Sequence, residues 1–153
     1  MRSTIVLIVA VILAVPLTAR ANREAATDIQ PRVDHHVKEV NAHIRHFEAF
    51  VAGECPHFGT AQEWNTYADG EIDRMLLMVA HAEQAWVEAK RTGDDTVRQS
   101  AKAPRRRLDD APQILNKLVT CAEGNGVSLS PGAVYRRIER DLPRRQSEIA
   151  LPR

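Results

Sequence analysis

Four of the six histidines in this 153-residue chain lie between positions 35 and 46: His35, His36, His43 and His46. A neutral imidazole offers a ring-nitrogen lone pair and suits Zn²⁺, Cu²⁺ or Ni²⁺. Read at helical period, His36, Glu39, His43, His46 and Phe50 follow in steps of three and four, which places them along one edge of a helix. The minimum ligand set on that edge is His43 and His46, with Glu39 four residues before His43 as an oxygen ligand or an orienting partner. His36 shares the edge, but the helical rise sets it about 10 Å from His43, too far for both to hold one ion. Zn or Cu binding there is expected to fade below about pH 6, where a protonated imidazole has no lone pair. The alternative is plain: the imidazoles are amphipathic side chains flanking a helical seam. Met75, Met78 and His81 form a second, softer set with copper chemistry, but Met75 falls on an apolar stripe and core packing accounts for it.

The arginines suggest a different chemistry. Residues 22–93 carry 7 basic and 12 acidic groups, net −5, whereas residues 94–153 carry 12 and 8, net +4. Two arginine-rich segments dominate the basic half: Arg105, Arg106 and Arg107, and then Arg136, Arg137, Arg140, Arg144 and Arg145. Either the halves complement each other within the molecule, or these arginines meet an acidic partner. With 21 basic and 20 acidic residues overall, nothing in the charge balance points to nucleic acid.

Signatures of catalysis are absent from the sequence. There is no G-x-S-x-G, P-loop, G-x-G-x-x-G or H-E-x-x-H pattern, and no Glu-x-x-His pair set on a helical stripe to project into the core as diiron bundles require. The two cysteines, Cys55 and Cys121, lack the spacing of a zinc, haem or redox motif and are expected to form a disulfide rather than a reactive thiol. The chain reads as a non-enzyme with no resident cofactor other than the metal considered above.

The compartment follows from the N-terminus. Arg2 precedes an apolar run from Ile5 to Leu17, and Ala19-Arg20-Ala21 fits a small-x-small cleavage site, so residues 1–21 read as an export signal. The run falls short of the ~20 residues that a spanning helix needs, so an uncleaved anchor is the weaker reading and membrane contact ends with cleavage. A periplasmic or secreted bacterial protein is expected, in a compartment where disulfides persist.

Helices must position these groups. Val33, Val37, Val40, Ile44, Phe47 and Val51 stripe a first helix of about 25 residues that ends before Gly53. Thr60 and Glu63 form a capping box for a second, striped by Trp64, Ala68, Ile72, Met75, Val79, Ala82, Trp86 and Ala89. A third begins at Asp94 or Asp95 and must kink or split near Pro104 and Pro112, where Asp110 can cap a fresh start; Ser130-Pro131 opens a last helix that Pro143 should stop. The expectation is an all-α, up-down bundle of three to four helices over residues 22–142, with residues 143–153 as a flexible tail. In such a bundle the first and third helices end at one pole, where Cys55 and Cys121 can meet. Two functions fit this outline. One is a non-catalytic envelope protein of stress-protective, inhibitory or adaptor type that works by contacting another envelope protein. The other is a periplasmic Zn or Cu binder using the histidine edge.

Overall fold

Apolar residues at steps of three and four build α1 (Ala26–Ala52), which buries Ile29, Val33, His36, Val40, Ile44 and Phe47 along a single stripe. Its position at 36 belongs to the core rather than to the flank, so a histidine stands where the pattern calls for an apolar side chain. The computed structural model describes residues 23–152; the expected export segment lies outside them. The α2 helix (Ala61–Ala89) opens on the expected capping box, with Thr60 Oγ1 accepting from the Glu63 amide and the Glu63 carboxylate accepting from the Thr60 amide. It buries a broader arc than one stripe, because α1, α3 and α5 all pack on it.

The third rod is split, as the prolines require. Asp94 caps α3 (Asp95–Arg106) by accepting from the Thr96 and Val97 amides. A 3-10 turn over Arg107–Asp110 follows, and then α4 (Ala111–Gly124) with Pro112 in its first turn. Asp110 makes no side-chain cap, and neither does Ser130 at the start of α5 (Pro131–Ile149); proline supplies the helical φ in both first turns. The expected stop at Pro143 does not occur. The α5 helix continues to Ile149, and beyond it the Arg32 guanidinium donates to the carbonyls of Leu151 at 2.7 Å and Pro152 at 2.5 Å. Those contacts, with the part-buried Leu142, Arg145 and Ile149, offset the backbone bond that proline removes.

Cross-links between helices give the topology. Going down α1 and up α2, Arg32 meets Glu88, His36 meets His81 and His46 meets Glu71, so the two run antiparallel. Arg107 meets Glu48, Lys117 meets the Gly53 carbonyl and Cys121 meets Cys55, so α3 and α4 run alongside α1. Arg137 grips Asp69 and Asp73 while the chain end reaches Arg32, so α5 returns beside α2. The fold is an all-α, up-down bundle, and the Cys55–Cys121 disulfide, with Cα atoms 5.2 Å apart, fastens the pole at which α1 and α4 end. Asn125 braces that pole by donating to the carbonyls of Pro56 and Cys121 and accepting from the Phe58 amide.

Among the described residues no helix is long and apolar enough to cross a membrane. The core has two parts. A large one at the disulfide end is built around Phe47, Trp64, Met75, Met78, Leu115 and Leu118. A smaller one at the other end holds Ile29, Val33, Ala85, Ala89, Val97 and Ala101.

Candidate metal centre

Three polar rungs cross the buried seam between α1 and α2, and two of them are acid–base pairs. At one, the Arg32 guanidinium Nε donates to Glu88 at 2.9 Å, and Arg91 donates to the same carboxylate at 2.6 Å. The two arginines hold the Glu88 carboxyl below its usual range although burial pushes it up. At another, His46 Nε2 lies 2.7 Å from the Glu71 carboxylate, itself 6% exposed. Each buried carboxylate has a hydrogen-bonding partner on the facing helix.

The middle rung has no acid. His36 Nδ1 lies 2.9 Å from His81 Nδ1, with His36 wholly buried and His81 7% exposed. Two neutral imidazoles can share one N–H···N bond, but both rings then have a second nitrogen to satisfy. His36 Nε2 is buried without any partner. An unsatisfied buried group of this kind costs about 1–3 kcal/mol. Protonation does not relieve it: burial, and then the neighbouring His81 and His35, push His36 down to about 4, and burial likewise pushes His81 down to about 4. Both rings are therefore neutral at pH 7 and present lone pairs.

A third imidazole completes the group. His35, exposed on the adjoining position of α1, brings a ring nitrogen within 4.8 Å of those of His36 and His81. Its ring centroid lies 5.2 Å from that of His36 and 6.1 Å from that of His81. Metal–nitrogen bonds of about 2.0–2.1 Å place tetrahedral ligand atoms roughly 3.3 Å apart. The buried pair is already near that spacing, and the exposed His35 is free to turn the remaining distance. Glu39 lies one turn along α1 from both His35 and His36, and its negative charge raises His81 and His43 against the effect of burial.

The ligand set expected from sequence is therefore not the set the fold gathers. His46 is engaged by Glu71. His43 is half-buried, held low by burial and then by Arg74, and its ring lies 6.2 Å from His81 without joining the three-nitrogen cluster. His36 and Glu39 stay at the candidate centre, and His35 and His81 enter it. Sequence did contain a signal for His36: substituted into the stripe of α1 it falls four residues before Val40 and three after Val33, the core register. His81 carried none, since its relation to His36 is set by the relative axial position of two helices. Met75 and Met78 are 2% and 1% exposed in the core, as packing required.

Most of the arginines are occupied within the molecule. Arg105 pairs with Glu83, Arg107 with Glu48 and Asp110, and Arg137 with Asp69 and Asp73. Arg140 pairs with Asp141, and Arg144 and Arg145 with Glu148. Arg106 and Arg136 make no ion pair among the described residues. Four of these ion pairs, made by Arg105, Arg107 and Arg137, join the basic half to the acidic half, which is the intramolecular complementarity that the charge division allowed. Compared with known protein families, curated proteins and solved structures, the chain matches none.

Proposed function

We propose that this protein is an exported, non-catalytic helical bundle that binds a divalent late-transition-metal cation, Zn²⁺ or Cu²⁺, through His35, His36 and His81. The observation that carries the reading is the buried His36–His81 pair, a polar rung with two bases, no acid and an orphaned ring nitrogen. A cation between the facing nitrogens would take a lone pair from each neutral ring, which a buried pair of bases with no acid beside it can give without first losing a proton. All three donors are nitrogen, since the cysteines are locked in the disulfide and the nearby methionines are packed. Nitrogen-only sites suit Zn²⁺ and Cu²⁺ rather than the thiophilic Cu⁺. Three protein ligands leave a coordination position open toward the side of the exposed His35, and Glu39 is placed to offset the ionic charge.

The test is calorimetric titration of Zn²⁺ and Cu²⁺ into chelator-stripped, tag-free protein at pH 7.5. One-to-one binding should survive His43→Ala/His46→Ala and disappear in His81→Leu, with helicity retained in both. Loss in the first variant would return the site to the α1 edge, and absence of heat in the parent would end the proposal. Contact with an envelope partner remains a second use of the surface, and Arg106 and Arg136, which lack ion-pair partners among the described residues, are the positions to reverse in testing it.

A further inference from the structure

The break between α3 and α4 has a consequence on the opposite side of the seam from the histidines' chemistry. Pro104 and Pro112 bracket the 3-10 turn, and none of the residues in that turn is buried. The third rod therefore fails to close over α1 at this level and leaves a pocket of about 290 Å³. Its walls are apolar, formed by Ile44, Phe47 and Val51 of α1, Met78 of α2 and Ile114 of α4. A cavity of roughly 150 Å³ in a protein interior accommodates benzene, so this one has room for about eight to ten heavy atoms.

The rim carries charge. The Arg107 guanidinium crosses it, 2.5 Å from Glu48 and 3.2 Å from Asp110, so two carboxylates face one cation. Lys117, one turn beyond Gln113 on α4, is held on the Gly53 carbonyl at 2.7 Å. Arg107, Glu48 and Asp110 are each about half exposed, and ion pairs of that kind are worth only about 0–1 kcal/mol, so Arg107 is readily displaced into water. The chain's own cation thus lies over the apolar pocket, at the point where the charged end of an amphiphile would sit.

We propose that this pocket is a binding site for a small aliphatic or aryl-alkyl amine. The apolar body enters between α1 and α4, and the ammonium replaces Arg107 between Glu48 and Asp110. A carboxylate or phosphate of the same size would instead meet Glu48 and Asp110 and would have to compete with them for Arg107. No residue of the metal centre takes part, so the inference stands apart from the metal reading.

Calorimetric titration of n-octylamine and octanoate into the full-length purified protein at low salt tests it. Octylamine should bind with one-to-one stoichiometry and at least tenfold more tightly than octanoate. Ala52→Trp, at an exposed wall position at the end of α1, should reduce octylamine affinity at least tenfold with helicity unchanged. Arg107→Gln removes the competing cation and should raise that affinity. No saturable octylamine binding, equal binding of octanoate, or weaker octylamine binding in Arg107→Gln would each overturn the proposal.

Discussion

His36 and His81 show how one residue type acquires different properties at different places in the same fold. Both rings are pushed from an ordinary 6.5 to about 4, chiefly by burial, whereas in the unfolded chain water restores the ordinary value. The folded state therefore resists protons that the unfolded state accepts between those limits. Stability contributed by the pair is complete above pH 6.5 and is lost as pH falls toward 4, on the order of 3 kcal/mol for one imidazole. Thermal unfolding of metal-free protein should show a steep drop in midpoint over that window. His36→Leu/His81→Leu should flatten the drop, and a slope unchanged by these substitutions would mean that other groups carry the acid sensitivity. The same low affinity for protons would extend metal binding at the proposed site: release should occur well below the pH 6 expected of solvated imidazoles, because protons compete at these two rings only near pH 4.

At the scale of elements, each end of the bundle is held by different means. The disulfide closes a loop of 66 residues that contains all of α2 and α3, joining the end of α1 to the last turn of α4. Loop-closure entropy for that length corresponds to roughly 4 kcal/mol of destabilisation of the unfolded chain. Reduction should lower the unfolding midpoint in urea and leave the far-ultraviolet circular dichroism of the native state almost unchanged, since the helices keep their packed faces. A midpoint insensitive to reductant would show that Asn125 and the packing around Leu118 fix the pole without the covalent link. The opposite pole depends on Arg32, whose guanidinium ties α1 to Glu88 on α2 and to the carbonyls after α5. That grip fastens the chain beyond α5 to the start of α1.

Over the whole molecule the two halves of the core are unequal, and the histidine rung sits where they meet. The disulfide half packs Trp64, Phe47, Met75 and several leucines and isoleucines, whereas the other half relies on Ile29, two valines and three alanines. Less apolar area is removed from water at that end, so its local opening should take less free energy. Hydrogen exchange should find amides of residues 82–101 less protected than those of 64–78 and 114–122. If the proposed site binds Zn²⁺, the ion should slow exchange most around His36 and His81, because it would tie α1 to α2 at the boundary of the weaker half. Uniform protection in the metal-free protein, or slowing by Zn²⁺ confined to the disulfide end, would contradict this division.

Helix positions apart from the end of α5 beyond Pro143, the capping box at Thr60, the break between Pro104 and Pro112 and the Cys55–Cys121 link were legible in the sequence. They follow from local rules: a 3.6-residue period, side chains bonding amides two or three residues away, and proline's missing N–H. The position of His36 in the core register was legible by the same period. What the tertiary structure alone decided was the company each polar side chain keeps. Whether His46 faces a metal or Glu71, and whether His36 faces His81 or an acid, depends on how far α2 is shifted along α1. One turn of shift, about 5.4 Å, would exchange every rung of the seam. That shift is selected by the sum of many apolar contacts spread over both helices, so no short stretch of sequence around the histidines contains it.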